Sequence, residues 1–274
     1  MKKFLTVFLL TTVWAGCADE TKHSDTLSTG RYSARAYKTV KHFEKINSDL
    51  FVGTWNVNFG LGGNTEMIEF MGRSGAQIIL LQETTPAWEN EINRKLSKIF
   101  PHRNFHHRGG AGGIGVISKL PLKTVKIIDP PSRGWFPAML VSVSVKNKVV
   151  QLLNVHLHPP FDDKGSIVKG YFSSPPIRLA EMKKYYSFLS SSDPVIIAGD
   201  FNEGTSGKTC SFLANNKFSR AAVKGNTWEW KTSYMVTLKS VLDHIFYRNI
   251  KLEGTKLTKT GTSDHFPLFA KFKL

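Results

Sequence analysis

Met139-Leu140-Val141-Ser142-Val143-Ser144-Val145-Lys146-Asn147-Lys148-Val149-Val150-Gln151-Leu152-Leu153-Asn154-Val155-His156 reads as two apolar runs joined by a short polar break. Leu140 to Val145 alternates apolar and serine side chains, the period-two pattern of a strand with one face in a core. The break at Lys146-Asn147-Lys148 turns the second run back as a hairpin, which disfavours a doubly wound nucleotide-binding sheet. Further β-type runs recur at Leu50 to Asn56, Gln77 to Gln82, Gly113 to Ser118, Thr124 to Ile128, Val195 to Ala198, Val241 to Tyr247 and Leu268 to Phe272. Three helical stretches separate them. One is capped at Asn64 or Thr65 and runs to Gly72. A second opens at Thr85-Pro86 with a stripe of Trp88, Ile92, Leu96 and Ile99, and a third opens at Pro176 with Leu179, Met182, Tyr186 and Leu189 on one side. Hairpin-ordered strands with a few long helices predict an α+β fold: a four-layer α/β/β/α sandwich of two mainly antiparallel β-sheets flanked by helices.

The strands end in chemistry. Trp55-Asn56, Gln82-Glu83, Asn154-Val155-His156, Asp200-Phe201-Asn202 and Ser263-Asp264-His265 each place acid, amide or imidazole groups at or beyond an apolar run. Glu83, Asp200, Asp243 and Asp264, with the amides of Asn56 and Asn202, are hard oxygen donors suited to Mg²⁺, with Mn²⁺ as an alternative. Glu83 is the first choice of direct ligand. His156 and His265 suit acid–base work on a phosphodiester, because imidazole titrates near neutral pH. Asp200 and Asn202, two residues apart on an extended segment, share a face and can orient water and phosphate together. Any one of these residues is more often a cap, a turn or a satisfied core group; the set of strand endings carries the argument. Arg103, Arg108, Lys119 and Arg133 lie in or near loops and are candidates to clamp phosphate.

Other chemistries lack their signatures. His156-x-His158 and His106-His107 do not complete a zinc set, and Gly-x-Ser-x-Gly is absent. The glycine-rich run Gly109 to Gly115 precedes a strand rather than opening a helix, and lacks the Lys-Ser/Thr of a P-loop.

Lys2-Lys3, the apolar stretch Phe4 to Val13 and the small Ala15-Gly16 read as an export signal over residues 1–16. Ala15-Gly16-Cys17 is similar to a bacterial lipoprotein box, with Cys17 as the lipidated residue. Residues 17–48, polar and without sustained periodicity, read as a tether, and 49–274 as one domain. Location in the periplasm or cell envelope, with a lipid anchor, follows from that reading. Among 274 residues there are 37 Lys+Arg against 21 Asp+Glu, a formal +16 that favours polyanionic partners. Two cysteines, Cys17 and Cys210, build no disulfide framework.

The ordered set Thr54-Trp55-Asn56-Val57, Leu81-Gln82-Glu83, Asn154-Val155-His156-Leu157, Gly199-Asp200-Phe201-Asn202, Leu242-Asp243-His244-Ile245-Phe246 and Ser263-Asp264-His265-Phe266-Pro267 resembles the endonuclease/exonuclease/phosphatase superfamily. The resemblance covers about Phe51 to Leu274. It implies a site along one edge of two sheets, with Asn56 and Glu83 holding the metal and Asp264 nearby. Asp200 and Asn202 would position water and phosphate, and His156 would donate to the phosphoryl group. Asp243 would support a histidine, and His265 would act with Asp264. Repair enzymes of the superfamily carry a tyrosine before the Gly-x-Gly strand, where Ala111 stands here. The acidic partner that the deoxyribonuclease branch gives its first histidine has no match among Arg108 to Gly115. The expected activity is Mg²⁺-dependent hydrolysis of a phosphodiester by a monomeric, exported nuclease acting on nucleic acid. The alternatives are a phospholipid, sphingomyelin or inositol-phosphate esterase, and, in another class, an inactive polyanion-binding lipoprotein.

Overall fold

The hairpin at the centre of the chain turns on two residues. Lys146 and Asn147 have φ of 49° and 63°, the left-handed pair of a type I′ turn, whose twist matches that of the strands it joins. The computed structural model describes residues 43–161, 164–232 and 235–274; the expected signal and Cys17 lie outside them. Among the described residues no helix is long and apolar enough to cross a membrane.

One sheet comprises β1 (Leu50–Asn56), β2 (Ile78–Gln82), β3 (His102–His106), β4 (Ile114–Ser118), β13 (Lys251–Leu257) and β14 (Leu268–Lys273), in the order β13-β14-β1-β2-β4-β3. The other comprises β5 (Thr124–Ile128), β6 (Ala138–Val145), β7 (Lys148–His156), β8 (Val195–Asp200), β9 (Ser219–Arg220) and β12 (Asp243–Arg248), in the order β5-β6-β7-β8-β12-β9. A two-stranded ribbon pairs β10 (Trp228–Lys231) with β11 (Thr237–Ser240). Val52, Leu80, Val116, Val141, Leu152 and Ile196 are fully buried between the sheets, each burial contributing about 1.5–3 kcal/mol.

Helices α1 (Thr65–Arg73) and α2 (Pro86–Leu96) cover the first sheet through Met67, Met71, Trp88 and Ile92. Helices α3 (Ile167–Tyr186) and α4 (Lys208–Asn215) cover the second through Met182, Tyr185, Cys210 and Leu213. The result is the four-layer α+β sandwich. Both faces of each sheet are covered, so central strands such as β2 are buried throughout rather than alternating.

Each sheet contains one parallel pair, β1 with β2 and β7 with β8. Parallel neighbours finish at the same edge. Asn56 therefore lies opposite Gln82, and His156 opposite Asp200. Strand β12 runs antiparallel to β8 and begins there, with Asp243 opposite Asp200. Beneath this edge Asn154 pins the sheets together. Its Nδ2 donates to the carbonyls of Leu81 (3.0 Å) and Gly115 (2.8 Å), and its Oδ1 accepts from Gln82 Nε2 at 2.6 Å.

Several expectations change. The third helix begins at Ile167, capped by the Ser166 hydroxyl (3.3 Å to Lys169 N), so Pro175 and Pro176 lie inside it. Proline normally marks a first turn; here Arg178 Nη1 donates to Ser174 Oγ (2.8 Å), bonding across the proline pair. Ile99 lies beyond α2 and is 40% exposed, because the stripe ends with the helix at Leu96. Residues 43–48, assigned to the tether by composition, include the buried Phe43, and Lys271 Nζ donates to the carbonyls of Phe43 (2.7 Å) and Glu44 (3.2 Å). Helix α4 and strands β3, β9, β10, β11 and β13 were not read from the sequence.

Candidate active site

Asp200, at the end of β8, is the hub. Its Oδ1 accepts from the Asn202 N–H (2.9 Å), and its Oδ2 from Asn56 Nδ2 (3.1 Å). The same Oδ2 lies 3.6 Å from His156 Nε2 and 3.5 Å from His265 Nε2. His265 Nδ1 bonds Asp243 Oδ2 at 2.9 Å, and Asn56 Nδ2 also donates to Glu83 Oε1 at 2.9 Å. Asn56, His156, His265 and the Asn202 N–H thus meet on one carboxylate, with Glu83 and Asp243 one bond further out. A model of the endonuclease/exonuclease/phosphatase family matches residues 53–265.

The chain belongs to that family. Its members hydrolyse phosphate esters and typically use divalent metals. A UPF0294 protein of Vibrio parahaemolyticus is 29% identical over 236 residues, covering 83% of this chain and 79% of the relative. A functionally unknown conserved protein from Enterococcus faecalis superposes with a TM-score of 0.65 at 16% identity, covering 81% of this chain and 99% of the other. D. rerio TDP2, in complex with a single-strand DNA product, gives 0.64 at 15% identity, covering 83% and 100%. Those likenesses show the fold.

Two of the expected site residues sit in a backbone conformation that costs free energy. Glu83 has φ of 60° and Asn202 of 52°; a non-glycine residue held there costs on the order of 1–3 kcal/mol and is typical of functional positions. At Glu83 the bend carries the carboxylate off the end of β2 to accept the Phe59 N–H on Oε2 (3.2 Å). At Asn202 it lets the amide donate to the Leu157 carbonyl (2.9 Å), so Asn202 reaches the hub through its backbone N–H.

The two imidazoles have opposite electrostatics. His156 is pushed down to about 4, burial outweighing the nearby Asp200 charge. Its Nδ1 faces the Ala111 carbonyl at 3.2 Å and Phe136 stacks on the ring at 4.2 Å, so the neutral ring donates from Nδ1 and keeps its Nε2 lone pair toward the site. A backbone carbonyl thus takes the place of the acidic partner that Arg108 to Gly115 do not supply. His265 is also buried, which lowers its pKa, but Asp243 and then Asp200 overturn this and raise it to about 10. The two carboxylates favour its protonated form.

A hard divalent cation fits the remaining donors. Glu83 is held above the usual carboxylate range by burial, and the Asp264 charge pushes the same way. Asp243 Oδ1 is buried without a hydrogen-bond partner. The ion-pair partners of Glu83, Asp200 and Asp243 are imidazoles alone among the described residues. Asp200, Asp243 and His265 present atoms within 4.8 Å of one another, but Asp243 and His265 are already bonded to each other. Glu83 accepts hydrogen bonds from Asn56 and Phe59, with His156 Nε2 3.9 Å from its Oε1, and Asp264 accepts from Asn58 Nδ2 (3.2 Å) and Trp228 Nε1 (2.8 Å). Of the metal candidates, the Asn56 amide oxygen instead accepts the Asn58 N–H at 3.1 Å.

Arg103 is turned away from the site: it bonds Asn93 Oδ1 (2.6 Å) and the carbonyls that follow α2, as expected for a guanidinium beside orphan helix-end carbonyls. His107 pairs with Glu89 at 2.6 Å. Four contributors escaped the sequence reading. Asn58 and Trp228 hold Asp264, while Phe136 and the Ala111 carbonyl hold His156. A carbonyl has no side-chain signature, and Trp228 reaches Asp264 only because β10 bridges to His265.

Proposed function

We propose that this chain is a Mg²⁺-dependent phosphodiesterase acting on nucleic acid. The observation that carries the reading is Asp200 set between two buried imidazoles, at 3.6 and 3.5 Å, beside two carboxylates, Glu83 and Asp264, that pair with no lysine or arginine among the described residues. The formal charge of +16 supports a polyanionic substrate, as does the single-strand DNA product on a protein of the same fold.

Glu83, with Asn56 and Asp264, would hold the metal, which supplies Lewis-acid polarisation of a phosphoryl oxygen. Asp200, fixed by the Asn202 N–H and Asn56, orients the attacking water. His265, kept protonated by Asp243, neutralises charge growing on the phosphoryl oxygens. The His156 Nε2 accepts in the free protein; an anionic phosphoryl group beside it favours the protonated ring, which then donates. The two histidines act as a pair around one phosphate.

The test is a panel of plasmid DNA, RNA, phospholipid and inositol-phosphate substrates with Mg²⁺, with Mn²⁺ and with chelator. Nucleic-acid cleavage is expected with metal only, falling at least about 100-fold in Glu83→Ala and His265→Ala. Undiminished turnover in either variant removes the mechanism; turnover of lipid alone removes the nucleic-acid assignment.

A further inference from the structure

Aromatic side chains extend from both imidazoles. Next to Phe136, which covers His156, Trp135 is 36% exposed and lies 4.3 Å from the His158 ring. On the other side Trp228 stands 6.5 Å from His265, and Trp230 stands 6.5 Å from Trp228. Trp228 and Trp230 share one face of β10, since strand side chains alternate. Leu238 of β11 lies opposite Trp230, which is 46% exposed. Arg133 stands two residues before Trp135, whereas Lys231, next to Trp230, lies on the opposite face of β10. Both cations are exposed and, among the described residues, neither forms an ion pair.

Single exposed apolar residues need no explanation. Two exposed indoles reached outward from the two imidazoles of one phosphoryl site, one of them with an exposed arginine close in sequence, are a different matter. Flat aromatic surface with positive charge is the combination that binds unpaired bases and their phosphates. In a duplex the bases already stack on one another and offer no free face.

We propose that Trp135 and Trp230 stack the bases on the two sides of the scissile phosphate, so that the preferred substrate is single-stranded nucleic acid. Arg133 takes an adjoining phosphate. The proposal rests on the nuclease reading above and names the form of its substrate.

The experiment compares the full chain with its Trp135→Ala, Trp230→Ala and Trp→Phe variants on three substrates: a single-stranded oligonucleotide, its duplex, and a strand abasic on both sides of one phosphate. Binding is read by anisotropy in chelator, and cleavage with Mg²⁺. Each alanine variant is expected to weaken single-strand binding and raise KM about tenfold with kcat nearly unchanged. Phenylalanine should restore most of the loss, and the abasic strand should not distinguish variants from wild type. Equal single-strand binding by wild type and variants overturns the stacking, as does an equal loss on the abasic strand. Loss of anionic-vesicle binding in Trp230→Ala with oligonucleotide binding intact also overturns it and makes the ribbon a membrane contact. A wild-type protein that cleaves another phosphodiester but no oligonucleotide instead fails the nuclease reading itself.

Discussion

Replacing Asp243 by Asn tests whether His265 is the cation of the site. The carboxylate lies 2.9 Å from His265 Nδ1 with both groups buried, and the ring rises from 6.5 to about 10 against the burial that lowers it. At about 1.4 kcal/mol per pK unit this is roughly 5 kcal/mol of preference for the protonated ring, near the ~3–5 kcal/mol cost of leaving one partner of a buried pair alone. The folded pKa exceeds the unfolded one, so this stability is fully present below 6.5 and is lost as pH rises through about 10. The gap between wild type and Asp243→Asn should therefore be at most about 4–5 kcal/mol near pH 6, since the share that Asp200 supplies remains in the variant, and smaller near pH 8. By about pH 10.5 it should fall to ~1 kcal/mol, the residue of an ordinary hydrogen bond. Urea unfolding in chelator at these three pH values measures it, and the ring titration followed by NMR reads the same group directly. A gap that stays flat from pH 6 to 10.5 would refute the assignment of a charged His265. So would a His265 ring that titrates near its ordinary value in wild type.

Asn154→Leu should lose roughly 3–6 kcal/mol, since it strands the buried Leu81 and Gly115 carbonyls and part of the Gln82 amide at about 1–3 kcal/mol each; a urea-derived loss under about 1 kcal/mol would show that the two sheets do not depend on this pin. Gly199→Ala should cost about 3 kcal/mol or more and abolish turnover, because φ is 149° and a Cβ would meet the Val155 carbonyl oxygen at 1.8 Å, forcing apart the strands that end in His156 and Asp200. A variant with unchanged melting temperature and activity would mean that the β7–β8 spacing is looser than described.

Much of this site is legible in the chain because of the two parallel pairs. A parallel strand delivers its last residue to the same edge as its neighbour's, so Asn56 with Glu83, and His156 with Asp200, announce themselves as polar endings of apolar runs. The same rule misleads at Asn154 and Gln82, whose side chains look as functional as His156 but turn between the sheets and bond each other. Nothing in a single sequence separates a buried amide that pins two layers from one that faces a substrate. The proline rule fails at α3 for a related reason: the Ser166 cap and the Arg178 to Ser174 bond override a local preference.

Asp243 shows where reading by strand ends reaches its limit. From sequence it falls within the run Val241 to Tyr247, at neither end. Because β12 is antiparallel to β8, the useful edge is met where β12 begins, and Asp243 is its first residue, opposite Asp200. Leu242 and Asp243 start cleanly there because both of their N–H groups donate to Thr227 Oγ1, at 3.0 and 2.9 Å. Thr227 in turn opens the ribbon that places Trp228 against Asp264. The acid that charges His265 and the aromatic wall beside it are thus positioned by one buried hydroxyl. Thr227 thus ties the start of β12, and Asp243 with it, to the start of the β10–β11 ribbon.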